Sequence, residues 1–592
     1  MSLALIPRFV GILANTSTPM YQREHGSNKI LRDAAYQMPL FSKTREELTN
    51  PLSATTGTKD LLQRATGRFY THNVIGQHLV LSLMKAFDFQ KLSRIRLVEP
   101  FCGDGRLVCW LMEAVSARYP EIKRDWEITL WEIDEHALPM AVEAVQATAA
   151  RLGERVTVCG AVGNSFHLAK HAKGAFHICL TNPPWETLKP DRRELELLSS
   201  EDAANYTKYL RVQTEELSHL YPHSVPSSRF SGWGVNLARC GTEAALQLVS
   251  AGGVCGVVLP ASLLADTVSE PFRKWLFSNH TPHDISYYVA EARLFAEVDQ
   301  QSVTLTLSPN YSQNTIVSLT TYDKACKPST SEIGAIAWND IRLNGYTIPI
   351  QFGSDLLHIV PLLRQLPTFA DLEGERSTDL WAGRELDETK YQEFVAPYGV
   401  HQFLKGRMIQ RFEVSYTPSL YLKPNGPAIP KSASFHRLVW RDVARPSQKR
   451  RIYAAIIPPS YVTGNSLSVA YFRNNSIVRL QALLGLMSSF VFEAQVRMHL
   501  ATAHISLGAV RKAHLPPISD NLTTERLAYL VGLCQKGDVH AQIMLEVVIA
   551  QLYALSHEIF SEIVSSYPKL ENQERENLLD TDLWSRATTF LR

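Results

Sequence analysis

The 592-residue sequence predicts an α/β protein: a doubly wound sheet with an antiparallel edge strand, then a mixed α/β region and a helical tail. Three observations predict it. Between residues 61 and 310, short β-like runs alternate with helical ones, as in a parallel sheet covered by helices. The first of these strands runs into a glycine turn that opens a helix. Beyond residue 400 the charge changes: 401–516 holds 16 Lys+Arg against 3 Asp+Glu, and 517–592 holds 6 against 11.

Residues 1–60 show no sustained periodicity and read as an N-terminal arm. Within 61–310 the expected strands are Ile95–Glu99, Ile128–Glu132, Val156–Val162, Phe176–Thr181 and Val254–Pro260, with Ile285–Ala290 and Val303–Leu307 at the far edge. Helices are expected at Arg106–Ala117, His136–Arg151 and Asn236–Val249. The polar, weakly patterned stretch 190–232 reads as an insertion. Residues 311–400 read as a linker, 401–516 as a mixed domain containing the helix Ile477–Leu500, and 517–592 as helical, notably Ala541–Leu555.

Composition narrows the function classes. With 45% hydrophobic and 20% charged residues the chain is globular, not disordered. No apolar run approaches the roughly 18 residues of a membrane span. The N-terminal apolar stretch is broken by Pro7 and Arg8, so no signal peptide is expected. Eight cysteines without a CxxC pair point to neither disulfides nor a zinc ribbon, so a reduced, cytoplasmic setting is expected. No metal constellation is expected either: His499 and His504 lie among basic residues and read as packing or surface groups. The basic excess of 401–516, interleaved with a dozen aromatics, points to a nucleic-acid partner; a solvated basic surface is the plainer reading.

Four short motifs carry the chemistry. Glu99-Pro100-Phe101-Cys102-Gly103-Asp104-Gly105 follows a strand and opens a helix, and its glycines allow a ligand close to the backbone. Glu132, 29 residues after Gly103, ends the next strand, where an acid accepts from ribose hydroxyls or merely caps a helix. Asn164, in Gly163-Asn164-Ser165-Phe166, ends the third strand, where it meets an adenine edge or shapes a turn. Together these indicate a nucleoside-cofactor site. Asn182-Pro183-Pro184-Trp185 ends the fourth strand. An amide oxygen, a proline-stiffened carbonyl and a flat ring suit a planar group with an exocyclic amine; an Asx–Pro turn with a buried tryptophan is the structural alternative.

With these residues the sequence resembles the amino-group DNA methyltransferases that modify adenine at N6, in their gamma arrangement, and is most similar to modification enzymes of Type IIS and IIG restriction systems. Asn182–Trp185 matches their Asn-Pro-Pro-aromatic signature and Glu99–Gly105 their glycine motif. Thr66-Gly67-Arg68-Phe69-Tyr70-Thr71 resembles the element that touches the donor's methionine part. Asn236–Arg239, Ala251–Gly253, Val258–Ser262, Arg384–Asp387, Leu404–Ile409, Arg497–Pro516 and Glu546–Tyr553 extend the likeness. The resemblance implies a Rossmann-like methyltransferase domain over 61–310, a target-recognition domain over 401–516 and a basic DNA cleft between them. It implies S-adenosyl-L-methionine as donor, held by Thr71, Glu99, Pro100, Cys102, Gly103, Gly105, Glu132, Ile133, Asn164 and Phe166. Asn182, Pro183, Pro184 and Trp185 are the implied catalytic set. Double-stranded DNA is the implied substrate, with a cognate restriction endonuclease as a separate chain. Arg407, Arg411, Arg441 and Lys449 are the DNA-contact candidates.

Asn164 departs from the family's usual aspartate. No fused nuclease is expected, since few residues precede Thr66 and the triplets Glu121-Ile122-Lys123 and Glu388-Thr389-Lys390 arise readily by chance. The competing readings are a methyltransferase acting on RNA or a protein amide, and a catalytically silent DNA-recognition subunit.

Overall fold

The computed structural model describes residues 70–592 apart from 191–194, 196–198, 227–233, 296–299, 313–314, 349, 351–355, 446–447, 501 and 520. The expected N-terminal arm and Thr66–Phe69 lie outside the described residues. The chain divides into two compact units, one running to Leu264 and from Val268 to Tyr346, the other comprising Ala265–Thr267 and Thr347–Arg592.

The first unit is built as α1 (Asn73–Ala86), β1 (Arg94–Glu99), α2 (Arg106–Arg118), β2 (Asp125–Glu132), α3 (Ala137–Leu152), β3 (Arg155–Val162), α4 (Ser165–Ala169) and β4 (Phe176–Thr181). It continues through α5 (Ser200–Leu220), α6 (Leu237–Leu248), β5 (Val249–Pro260), α7 (Glu270–Asn279), β6 (Thr281–Tyr288), β7 (Ser302–Ser308), β8 (Val317–Tyr322), β9 (Pro328–Ile333) and α8 (Ala335–Leu343). Ile95, Leu97, Ile178, Leu180, Val254 and Val258 are fully buried, as strands covered on both faces require. The sheet order is β3-β2-β1-β4-β5-β7-β6-β8-β9. Strands β1 to β5 pair in parallel, and β7 runs antiparallel between β5 and β6.

Three expectations are corrected here. The antiparallel strand expected at the edge is interior, because β8 joins β6 in parallel and β9 closes the sheet antiparallel to β8. Their sequences, VSLTTY and PSTSEI, are rich in Ser and Thr, and most of β9 is exposed, so neither shows an apolar pattern. Residues 311–400 are therefore not one linker: the boundary falls after Tyr346. The 190–232 stretch, read as a polar, weakly patterned insertion, contains α5, which buries only a stripe of Leu210, Thr214 and Leu217.

The second unit contains an antiparallel sheet β10 (Leu380–Gly383), β17 (Leu467–Phe472), β14 (Arg437–Arg441) and β15 (Ala454–Ile457), in that order. A smaller sheet joins β11 (Val395–Ala396), β13 (Tyr421–Leu422), β12 (His401–Leu404) and β16 (Val462–Thr463). Helices over Ile477–Leu591 share one apolar core with the larger sheet, with Trp440, Leu483, Val548 and Phe560 fully buried. The expected single helix Ile477–Leu500 is two, Ile477–Ser488 and Phe490–Met498, bent by 64°. The groups freed at the break are taken up by charge: Ser488 O accepts from Arg411 and Arg450, and Phe490 N donates to Glu546 Oε2 at 2.8 Å. Among the described residues no single helix is long and apolar enough to cross a membrane.

Candidate active site

The carboxyl ends of β1, β2, β3 and β4 bring the sequence motifs together in the first unit. Gly103 and Gly105 adopt φ of 52° and 74°, where side-chain-bearing residues are strained. A Cβ at Gly105 would lie 3.1 Å from Ala141 O, and one at Gly103 would face the Tyr70 ring. The turn is held from the neighbouring strand. Glu132 Oε2 accepts from Gly103 N at 2.9 Å, and its Oε1 accepts from Ile133 N and Asp134 N. Cys102 N donates to Trp131 O, and Ser165 Oγ to Pro100 O.

Glu99 is the outlier. It is 2% exposed, and its Oε2 has no hydrogen-bond partner. Burial, with Asp104 and Glu132 nearby, pushes its carboxyl well above the usual range, against the opposing pull of Arg106. A buried carboxylate left this way is expensive unless a cation meets it. Ile133, just past the end of β2, is 46% exposed. Phe166 packs against Phe101 at 5.1 Å, and its carbonyl accepts from Tyr221 Oη. Asn164 caps α4, its Oδ1 accepting from Phe166 N at 3.0 Å.

The Asn182–Trp185 loop closes on itself and on Thr71, just before α1. Trp185 Nε1 donates to Asn182 Oδ1 at 3.0 Å, and Asn182 Nδ2 donates to Thr71 Oγ1 at 3.1 Å. The amide is thereby oriented rather than free to spin. Pro183 is buried, while Pro184 and Trp185 are half-buried. Arg106 donates to Thr71 O and lies over the Tyr70 ring, so the glycine turn, Thr71 and Asn182 form one connected group.

Sequence reasoning missed three participants. Phe295 sets its ring edge-on to Trp185 at 4.8 Å, and a lone phenylalanine in a loop carries no signal. Asn236 and Gly241 of the α6 region contact the Asn182–Trp185 loop. An asparagine before an apolar helix does signal a cap, but not what else its amide reaches.

The four basic candidates differ in their surroundings. Arg407 is exposed. Lys449 pairs with Glu574, and Arg441 Nε donates to Ile409 O at 2.6 Å with its guanidinium over the Tyr453 ring. Arg411 is corrected outright: it points inward, bonded to Glu546 and Ser488 O, because the broken helix needs that cation. Among the described residues at least eight of the sixteen basic side chains of 401–516 are ion-paired within the unit, as Arg437 is with Glu385 and Arg511 with Glu373. Glu388 likewise serves the fold, bonding Ser466 and Lys405.

No family model and no curated protein matches the chain. Solved structures resemble it at low identity. The type IIG restriction endonuclease BpuSI is 14% identical, with 89% of this chain and 66% of that one covered and a TM-score of 0.35. A nuclease-deletion mutant of the Type ISP restriction-modification enzyme LlaGI, in complex with a DNA substrate mimic, is 10% identical over 79% and 47%, with a TM-score of 0.49. A putative class I S-adenosylmethionine-dependent methyltransferase from Listeria monocytogenes is 14% identical over 49% and 77%, with a TM-score of 0.30. The chain spans less than two thirds of the length of BpuSI and of LlaGI.

Proposed function

We propose that the chain transfers a methyl group from S-adenosyl-L-methionine to N6 of an adenine flipped out of duplex DNA, as the modification enzyme of a restriction-modification system. The observation that carries this reading is the oriented Asn182-Pro183-Pro184-Trp185 loop beside a glycine turn whose buried Glu99 has an unpartnered oxygen.

The residues suit the donor. Glu99 Oε2, which has no partner, would accept from its ammonium group, and Gly103 and Gly105 leave backbone space that a Cβ would narrow. Glu132 would accept from a ribose hydroxyl, since a carboxylate has about four acceptor sites and three backbone N–H groups use three of them. Ile133 and Phe166 would cover the adenine faces and Asn164 its edge, with Thr71, Pro100 and Cys102 shaping the floor. The donor, when bound, supplies an electrophilic methyl on a sulfonium.

Asn182 Oδ1 and the Pro183 carbonyl would accept from the target amine and raise electron density on its nitrogen, while Trp185 offers a ring face to the flipped base. Positioning supplies most of the acceleration. None of the side chains of Asn182, Pro183, Pro184 and Trp185 is a base, so the proton leaves to water after the methyl is in place. Exposed basic groups of the second unit, Arg407 among them, would hold the DNA backbone. The cognate nuclease would be a separate chain.

The test is sequencing of single DNA molecules from cells expressing the chain, against cells expressing Asn182→Ala. Modified adenine in a fixed sequence context, lost in the variant while donor binding persists, is expected. Methyl incorporation into RNA or protein but not DNA would sink the reading.

A further inference from the structure

We infer that the start of α6, through Asn236 and Gly241, sets the spacing between the donor-side turn and the amine-side loop; both act as positioning residues. This rests on the reading above.

Asn236 uses both ends of its amide. Its Oδ1 caps α6, accepting from Ala238 N at 3.0 Å and Arg239 N at 3.2 Å. Its Nδ2 donates to Trp185 O and to Thr187 Oγ1, each at 3.2 Å. The backbone follows: Leu237 N donates to Glu186 O and Leu188 N to Val235 O, both at 2.8 Å. The chain leaving Trp185 is thus tied to the first turn of a helix buried against β4 and β5.

Gly241 lies one turn further along. A Cβ there would sit 2.3 Å from Pro183 Cβ and 3.4 Å from Phe101 Cε2. Glycine weakens a helix interior, so its presence marks a close approach. This approach touches Pro183 of the amine-side loop and Phe101 of the donor-side turn at once. The helix backbone is therefore the gauge between the two loops, and a displacement of about 1 Å in such an arrangement costs roughly a hundredfold in rate.

A helix cap alone would explain Asn236 without any role for Trp185, so the decisive variant is Asn236→Asp. Aspartate caps as well as asparagine, but turns the two donors facing Trp185 O and Thr187 Oγ1 into acceptors. Two readouts on the full chain separate the readings. In hydrogen exchange without donor or DNA, the Leu188 and Leu237 amides should exchange at least about tenfold faster, while the Ala238 and Arg239 amides, still capped, stay protected. In turnover on methylatable DNA, kcat should fall at least about tenfold while the donor dissociation constant and the melting temperature hold. Gly241→Ala should lower kcat similarly, and serves if the first variant folds poorly. Unchanged exchange at Leu188 and Leu237 in Asn236→Asp, or full kcat in Gly241→Ala, would overturn the inference. If the wild type methylates no DNA, the functional reading fails, and the exchange result still decides whether Asn236 restrains the loop.

Discussion

Glu99 in the first unit and Glu493 in the second are both buried carboxylates, at 2% and 0% exposure, in opposite surroundings. Burial raises both. For Glu493 the Arg497 and Arg450 guanidinium groups and the Ile452 and Arg451 N–H groups outweigh it, and the carboxyl is held down to about 2. For Glu99 the nearby Asp104 and Glu132 add to burial, and it stays well above the usual range. Glu493 belongs to a network within its own unit: Arg450 bridges it to Glu546, and Glu546 takes Arg411 and Phe490 N. The chain leaves Glu99 incomplete. Glu493 is matched by cations and N–H groups of its own unit, whereas Glu99 Oε2 is left without a partner.

The sharpest way to break this comparison is to remove each carboxylate. Glu493→Ala should cost about 3–5 kcal/mol in urea unfolding, because Arg450 and Arg497 lose their shared partner in the interior. Glu99→Gln should leave stability unchanged or raise it. An equal loss in the two would erase the distinction. The pH dependence has opposite signs. Glu493, depressed, contributes stability that is full above an ordinary carboxylate pKa of about 4.3 and is lost as pH falls toward about 2. Glu99, raised, costs the apo fold stability as pH climbs from that ordinary value through its own.

Next in size is donor affinity. Glu99→Gln should weaken it roughly ten- to a hundredfold, the worth of a charged hydrogen bond of about 1.5–3 kcal/mol. In the wild type, a protonated Glu99 must ionise to meet an ammonium. Affinity should therefore rise with pH through its raised pKa, with proton release visible in calorimetry with two buffers. A buffer-independent heat would separate Glu99 from the donor.

Within the second unit, Arg411→Ala should cost about 1.5–3 kcal/mol of stability through the lost Glu546 and Ser488 bonds. Arg407→Ala should leave the melting temperature alone and lower the salt slope of DNA binding by about 1. The smallest effect is expected at Asn164. Asn164→Asp keeps the cap on Phe166 N, so donor affinity should change by less than about tenfold, with DNA affinity unmoved. Identical calorimetric titrations would make Asn164 a cap only.

The same contrast explains what could be read beforehand. Glu99, Gly103, Gly105, Glu132 and Asn182–Trp185 were legible because each sits at a strand end, where local spacing decides position. The Phe176–Thr181 strand was placed to the residue. The arginines were not legible, because a charge count over 401–516 omits their partners. Arg511 meets Glu373 138 positions away and Arg411 meets Glu546 135 away, on either side of the counted window. Asn236 was visible as a cap, but its reach to Trp185 O, 51 residues back, depends on tertiary folding. The β8–β9 pair was missed because its Ser- and Thr-rich strands lie beyond the apolar centre of the sheet.

The interior place of β7 dictates an order of assembly. On the ribosome, β6 emerges before β7, yet its sheet partners are β7 and β8, both made later. Until residues 302–308 appear, the far edge of the 12-residue β5 is unpaired, offering a row of open N–H and C=O groups to any neighbouring chain. Translation that stalled between Tyr288 and Ser302 would leave a polypeptide whose parallel half is complete but sticky. A fragment meant to keep β1 to β5 intact must therefore run past Ser308, beyond Phe295 against Trp185.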